Sequence, residues 1–359
     1  MGTLTPRHID ELVARGEIGG RTVRIVDGGT VDCHEYPVAA LPAGHLRVRT
    51  VCSAISPGTE MTYIGAGASN PYLHKQWDPS LRLFVAGTPT IEYPIVFGYR
   101  AAGRVVESAS PAAPIGTRVY GTWRHTELVA VPVELALHQR VPDTLSFDDA
   151  VDLGQMAPIG LNAVAYAGDA LRGAPTVVFG AGPVGLIVAQ LASASGASAV
   201  HVVDRLTSRL EIARSCRLET LLAADGVDVA RELKRRLGAD GVAVAFECTG
   251  STRALQEAIR VVRRRGRVVA VGFYQGESSG LYLGDEFHHN GVEIRSAQIG
   301  NIHPDWSMPS LRARVIELAV GGHIRLGGLP RATFPVDHAT DAFAALTRSA
   351  TMLQATLTY

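Results

Sequence analysis

The residues whose spacing most plainly serves chemistry are three glycines. Gly180, Gly182 and Gly185 stand in Gly-Ala-Gly-Pro-Val-Gly, directly after the apolar run 176–179. A strand that enters such a turn and leaves it as a helix is built to hold a pyrophosphate. The first glycine makes the tight turn, the second lets the backbone approach the phosphates, and the third lets the helix pack on the strand. The free N–H groups at the helix start then face the anion. Asp204 closes the next apolar run, AVHVVD, about 20 residues beyond Gly182, the spacing of a carboxylate that accepts both adenosine ribose hydroxyls. An acid there favours NAD and repels the extra phosphate of NADP, although Arg205 beside it carries a charge able to hold that phosphate.

The elements around the fingerprint alternate. Residues 176–179, 199–203, 242–247 and 267–271 read as buried parallel strands, and 183–196, 207–216, 228–238 and 252–264 as the helices between them. Repeated βα units of this kind predict a doubly wound α/β sheet. Before residue 150 the texture differs. Residues 46–52 alternate apolar and polar positions, and short apolar runs at 95–97, 103–106 and 128–131 are punctuated by Gly and Pro, which predicts a barrel-like β domain. Residues 148–170 are helix-compatible, and a helix near 309–321 precedes FPVDHATDAFAAL. The expected layout is a β domain built from residues 1–153 and 299–359, with a dinucleotide-binding domain at 154–298 inserted between its halves.

Composition excludes several classes. Lys+Arg and Asp+Glu are both 34, so no net field points to nucleic acid or an acidic membrane surface. The runs Lys234–Arg236 and Arg263–Arg265 fall at apparent helix ends, where they suit the helix dipole. There is no uninterrupted apolar stretch of about 18 residues and no leader-like N-terminus, so a cytoplasmic protein is expected. Cys33, Cys52, Cys216 and Cys248 form no CxxC pair, which argues against a disulfide framework and a clustered structural zinc.

With the fingerprint stand SAISPGTE at 53–60, GYRAAG at 98–103, DLGQMAPIGLNAV at 152–164, FECTG at 246–250 and ALQEAIRVVRRRGRVVAVG at 254–272. In order and spacing, over nearly the whole chain, these segments resemble the medium-chain dehydrogenase/reductase superfamily. The SxISxGTE and GY pieces are most similar to a subgroup that includes bacteriochlorophyllide dehydrogenases. The resemblance implies a GroES-like β-barrel domain, a Rossmann domain and an NAD-linked reaction in a cleft between them. It further implies that Asp204 and Arg209 face the ribose, Pro183 and Val184 the pyrophosphate, and Thr249 and Gly250 the nicotinamide side, with Gly272 beside them. Residues 290–301 look like the segment by which members pair into homodimers.

Zinc-using members of this superfamily present a Cys in a CGTD-like motif, a His in GHExxG and a Cys or Glu before the nucleotide domain. Here Ser56-Pro57, Tyr99 and Gln155 stand at those places, Arg100 replaces the Glu of GHE, and the family's four-cysteine lobe is missing. Zinc sites are made of thiolate, imidazole or carboxylate donors, so no metal is expected. Hydride transfer needs only a polarised carbonyl or a deprotonated alcohol. Glu60, Tyr99 and Arg100 are therefore the candidate catalytic residues. Glu60 and Arg100 are expected as an ion pair in the vacated metal region, and the Tyr99 phenol as a proton carrier made easier to ionise by the guanidinium. A structural salt bridge and a ring that fills the zinc hole are the plain alternatives.

Residues 61–94 form a long insertion between two site motifs. A long loop in a compact domain is usually functional, and this one brings Tyr63, His74, Lys75 and Trp77 as candidate substrate contacts, alongside Ser56 and Gln155. Such a set suits a small polar substrate, sugar- or cyclitol-like, of a specialised pathway; a lid packed on itself is the alternative. The expected activity is alcohol oxidation or ketone reduction, with reduction of an activated C=C or C=N bond as a variant. A non-catalytic NAD-binding sensor or scaffold is the reading from another class. The retained Gly58-Thr59-Glu60 and the elaborated insertion favour an enzyme.

Overall fold

The computed structural model describes residues 6–65, 69–349 and 351–359; residues 66–68 of the long insertion lie outside the described residues. Helix α1 (Pro6–Ala14) precedes strands β1 (Ile18–Ile25), β2 (Val31–Tyr36), β3 (His45–Ala54), β4 (Gln76–Asp78), β5 (Leu83–Val85), β6 (Ile95–Val96), β7 (Ala101–Glu107), β8 (Arg118–Gly121) and β9 (Thr126–Pro132). Helices α2 (Val133–His138), α3 (Phe147–Leu153) and α4 (Met156–Ala167) lead into an alternating stretch. This is β10 (Pro175–Phe179), α5 (Pro183–Ala194), β11 (Ala199–Asp204), α6 (Thr207–Ser215), β12 (Glu219–Leu222), α7 (Val229–Leu237), β13 (Val242–Glu247), α8 (Thr252–Val261), β14 (Val262–Ala270), the single turn α9 (His288–Asn290) and β15 (Glu293–Ser296). Helix α10 (Met308–Val320), β16 (Ala332–Pro335), α11 (Ala339–Arg348) and β17 (Ala355–Thr358) complete the order.

The chain divides into two compact units, Met1–Gly154 with Arg331–Tyr359, and Gln155–Pro330. The second division falls at 330/331 and not near 299, because α10 packs on α4 and stays with the nucleotide unit.

In the first unit, the main sheet path runs β16-β17-β3-β9-β1-β2, with β6 on β1 and β7 joining β3 to β8. The pairings are antiparallel except for β16 with β17. The alternation read at 46–52 belongs to β3, but most of its polar positions are covered too. Arg47 is buried against Glu107 at 3.0 Å, and Thr50 donates to the Thr126 carbonyl at 2.6 Å. A strand fixed on both faces carries Ser53 at its end and sets the direction of the Ser56–Glu60 turn that follows. The helix expected over 148–170 is two helices. Ser146 and Asp149 form a capping box on α3, and Gln155, at φ −147°, leaves the helical region before α4 begins.

The second unit is a six-stranded parallel sheet, β12-β11-β10-β13-β14-β15. Counted from β10 this is the order 3-2-1-4-5-6 of a doubly wound dinucleotide fold. All of β13, Val-Ala-Val-Ala-Phe-Glu, is buried, as expected of a parallel strand covered by helices on both faces. Val177, Phe179, Ala245, Ile259 and Val268 belong to its core. Lys234–Arg236 sit in the last turn of α7, whereas Arg263–Arg265 lie past the end of α8, in the irregular start of β14.

Candidate functional site

In the nucleotide unit, the three fingerprint glycines differ in what they do. A Cβ at Gly185 would lie 1.8 Å from the Gly180 carbonyl oxygen, so that glycine is required by packing. Gly180 has φ +100°, and its Cβ would meet Thr249 at 2.7 Å. At Gly182 an added Cβ would meet no atom within 4 Å. The missing side chain there relieves no protein contact; it leaves open space at the N-terminus of α5. Gly182 is the N-cap, and Pro183 and Val184 begin the first turn, with Pro at the position whose N–H is dispensable. Such a terminus fits a pyrophosphate.

Beside it lies a cleft of about 490 Å³ lined by Gly180, Asp204, Arg205, Arg209, Thr249 and Arg253. Asp204 is held by two backbone donors, Ala181 N–H at 2.7 Å on one carboxylate oxygen and Leu206 N–H at 2.9 Å on the other. A carboxylate offers about four lone-pair directions, so capacity for two ribose hydroxyls remains. The residues present fit a dinucleotide.

The turn after β13 is organised by a residue to which the sequence motif gave no role. Glu247 is fully buried and accepts from Thr249 N–H at 2.7 Å, Gly250 N–H at 3.0 Å, the Tyr274 hydroxyl at 2.5 Å and the Thr249 hydroxyl. Burial pushes its carboxyl above the ordinary range, against the pull of these donors. Gly250 has φ +72°, and a Cβ at Gly272 would come 2.1 Å from Gly250 N. Glu247 thus fixes the turn that presents Thr249 and Gly250. The signal in the sequence was an acid ending an otherwise apolar buried strand.

In the β unit, the Tyr99 hydroxyl donates to Ser56 Oγ at 2.5 Å and lies 3.4 Å from Thr59 Oγ1. Two of the three residues expected from the sequence at metal-ligand positions are thus in direct contact. Tyr99 is half-buried and Ser56 buried. Burial raises the Tyr99 pKa, outweighing the Ser56 and Thr59 hydrogen bonds and the smaller influence of Arg100. The expectation that Arg100 makes this phenol easier to ionise is corrected: desolvation of the phenolate wins.

The expected Glu60–Arg100 pair is also corrected. Arg100 is wholly buried and bonds to Asp152, to the Gln354 side-chain oxygen at 2.8 Å and to the Ile55 carbonyl at 3.1 Å. Arg331 reaches the other oxygen of Asp152 at 3.4 Å. Glu60, equally buried, accepts from Ser56 N–H at 2.8 Å and meets His125 Nε2 at 2.8 Å. The physical reason is partner supply: two buried charges of opposite sign each find a separate, better-placed partner. Asp152 and His125 were not singled out in the sequence, since neither lies in a recognisable spacing with the residue it meets. Gly98 of the GYRAAG segment has φ +120° and would place a Cβ 2.6 Å from His125 N, so only glycine admits this approach.

The described residues of the insertion are structured. Its β4–β5 hairpin packs Trp77 against Phe84 in a tilted contact (4.9 Å) and Phe84 against Tyr72 edge to face (5.1 Å), while the Ile91 N–H and Tyr72 carbonyl close its base at 3.0 Å. His74 and Lys75 are exposed and Trp77 half-exposed. Tyr63 is 2% exposed and packs on Phe97 at 5.2 Å, so it is a core residue and not a substrate contact. Leu81, Leu83 and Phe84 lie exposed on the hairpin. Gln155 opens the second unit as the N-cap of α4.

The donor set does not fit zinc. Ser56, Tyr99 and Gln155 offer neither thiolate, imidazole nor carboxylate. Glu60 and His125 are of the right chemical type, but they are buried and bonded to each other. Among the described residues, no group of three or more His, Cys, Asp or Glu side chains is placed to hold a metal ion. None of the described helices is long and apolar enough to cross a membrane.

Comparison with known proteins agrees with this architecture. A family model described as zinc-binding dehydrogenase matches residues 183–313. The chain is 29% identical over 318 residues to D-guloside 3-dehydrogenase of Escherichia coli (strain K12), covering 84% of this chain and 89% of that protein. Its fold matches 2R,3R-butanediol dehydrogenase from Bacillus subtilis with a TM-score of 0.75 at 20% identity, covering 94% and 99% of the two chains. It also matches a short chain alcohol dehydrogenase from E. coli CFT073 complexed with NADH, with a TM-score of 0.74 at 18% identity over 95% and 100%. The two units accordingly have the GroES-like and Rossmann folds, and the chain belongs to the medium-chain dehydrogenase/reductase superfamily of oxidoreductases, in its zinc-type alcohol dehydrogenase-like branch.

Proposed function

We propose that this protein is a zinc-independent, NAD-linked dehydrogenase that interconverts a secondary alcohol and a ketone on a sugar-like substrate, with glycosides the first class to test. The observation that carries the reading is the Tyr99–Ser56 hydrogen bond at positions where the superfamily's metal ligands stand. The relatedness to D-guloside 3-dehydrogenase supports the substrate class, and Asp204 supports NAD over NADP.

Gly182, Pro183, Val184 and Asp204 hold the dinucleotide in this reading, with Thr249 and Gly250 on its nicotinamide side. When bound, the nicotinamide supplies the hydride acceptor or donor. The chain supplies the proton. In the reducing direction the Tyr99 O–H turns from Ser56 to the substrate oxygen, and the Ser56 hydroxyl turns to donate to the phenol oxygen that is losing its proton. In the oxidising direction the same atoms run in reverse from the Tyr99 phenolate, which takes up the alcohol proton, so oxidation is expected to quicken as pH rises. His74, Lys75, Trp77 and Gln155 are the proposed substrate contacts, and Arg100 has the role of holding the Ile55–Ser56 turn.

The reading extends to a homodimer. β15 lies at the edge of its sheet, and an edge strand offers unpaired backbone groups to a second copy. A cytoplasmic location is proposed with it.

The test is incubation of the purified protein with NAD and a panel of polyols, free sugars and glycosides. Formation of NADH together with a keto-sugar product by mass spectrometry supports the reading. NADH binding with no turnover on any member of the panel returns the chain to a nucleotide-binding sensor.

A further inference from the structure

The most unusual buried polar feature outside the Tyr99–Ser56 contact is a line of four side chains through the core of the β unit. Glu60 Oε2 meets His125 Nε2 at 2.8 Å, His125 Nδ1 meets Ser53 Oγ at 2.7 Å, and Ser53 Oγ meets the Tyr359 hydroxyl at 2.9 Å. Glu60, His125 and Ser53 are each no more than 1% exposed, whereas Tyr359 is partly exposed. His125 cannot drift: its N–H donates to the Phe97 carbonyl at 2.8 Å, and its own carbonyl accepts from Val23 N–H at 2.9 Å. At the inner end, the second Glu60 oxygen accepts from Ser56 N–H, so the line stops at the turn that carries the candidate site.

The donors and acceptors allow two complete arrangements. An ionised Glu60 only accepts, so His125 Nε2 carries a proton. With a neutral ring, Nδ1 accepts from the Ser53 hydroxyl, and Ser53 accepts from Tyr359. With a cationic ring, Nδ1–H donates to Ser53, and Ser53 donates to Tyr359. Both arrangements satisfy every bond in the line, which is a strong constraint for buried polar groups. Passing between them takes one proton in at the Tyr359 end, moves one proton along each link and places one on His125. No heavy atom need leave its place.

We infer that Tyr359, Ser53 and His125 form a proton wire through which the buried Glu60–His125 pair takes up and releases one proton during turnover. The inference rests on the dehydrogenase reading only for the words during turnover. The wire serves as a positioning and charge-balancing device. Oxidation of an alcohol releases a proton beside Ser56, and reduction consumes one. Uptake on His125 cancels the Glu60 charge facing the Ser56 turn, and release restores it. Tyr63 and Tyr99 lie within reach of the Glu60 charge, and Cys33, Cys52 and Glu60 act on Tyr359. These groups face the wire and stay unchanged in the variants below.

Two variants cut the wire without removing its buried ends. Tyr359→Phe keeps the ring and deletes one hydroxyl; Ser53→Ala deletes the middle link. On the full-length protein with a turned-over substrate, each is expected to lower kcat about tenfold and to raise the solvent deuterium isotope effect on kcat, with KM for NAD and substrate unchanged. A purely structural line would move thermal stability and leave the isotope effect alone. A readout independent of activity uses protein with ¹⁵N-labelled histidine, the His125 signals being assigned by difference from His125→Asn. The Nε2–H tautomer is expected in the parent, and proton exchange at the other nitrogen, Nδ1, which faces Ser53, read as line broadening of its signal, should slow severalfold in Tyr359→Phe. Unchanged exchange, or unchanged kcat and isotope effect in both folded variants, overturns the wire. Slowed exchange in a protein that oxidises no substrate keeps the wire and overturns the proposed reaction.

Discussion

Tyr99 donates to Ser56 Oγ at 2.5 Å, which joins two residues that the sequence resemblance expects at metal-ligand positions. In the proposed reaction the pair takes the place of a Lewis acid, stabilising charge by hydrogen bonding and moving a proton. General acid–base help of this kind is worth about 10²–10⁴-fold. Tyr99→Phe should therefore lower turnover at least about tenfold with little change in NADH affinity by fluorescence titration. Burial, the largest influence, raises the Tyr99 pKa above its ordinary value of about 10. The phenol thus stays protonated across neutral and mildly alkaline pH, and the reducing activity should stay level there and fall only above that ordinary value. A Tyr99→Phe variant as active as the parent would move the proton chemistry elsewhere, with His74 and Lys75 the next candidates.

Asp204 should set cofactor choice. A phosphate about 4 Å from its carboxylate is repelled by about 4 kcal/mol at a surface-like dielectric before screening. NADH should bind more tightly than NADPH in a fluorescence titration, and Asp204→Asn should narrow the gap, with Arg205 and Arg209 in the same cleft available to the phosphate. Tighter binding of NADPH by the parent would refute this assignment.

The Arg100–Asp152 contact predicts a stability effect. Both side chains are wholly buried, and Asp152 also meets Arg331. Asp152→Asn leaves the buried Arg100 guanidinium without its counter-charge, a change that typically costs about 3–5 kcal/mol. Urea unfolding followed by circular dichroism should show a loss of this size. A loss under about 1 kcal/mol, the size of a surface pair, would show that water reaches the site.

The 61–94 insertion should act on substrate and not on cofactor. Its hairpin exposes Leu81, Leu83 and Phe84 above a base closed by Tyr72 and Ile91. Trimming residues 69–77 should cut turnover while NADH affinity holds. Unaltered turnover would mark the segment as a cover packed on itself.

The nucleotide unit was legible because its signals are local. A glycine turn, an acid at a fixed distance and fully apolar strands each report a backbone requirement that residues nearby in the chain satisfy. The β unit was legible only in part. Ser56 and Tyr99 could be named from motifs, but the partners of Glu60 and Arg100 come from residues 65 and 52 positions away, His125 and Asp152. No periodicity encodes such meetings; the sheet register creates them. Charge alone suggested that Glu60 and Arg100 would pair, and it failed because each had another buried partner. Tyr63 was misread for a related reason: an aromatic residue in an insertion resembles a contact until the packing of its ring on Phe97 is seen. The helix over 148–170 broke at Gly154–Gln155 because helical propensity carried no sign of the turn there.

The central claim is that the reaction needs no zinc, and metal content and turnover measured on the same preparation test it most directly. Purified protein is treated with a strong chelator, analysed for zinc by elemental mass spectrometry and assayed with NAD and a glycoside that it oxidises. The account predicts far less than one zinc per chain both before and after treatment, with turnover unchanged by the chelator. One zinc per chain in the untreated protein, with activity lost on its removal and restored by adding it back, would contradict it.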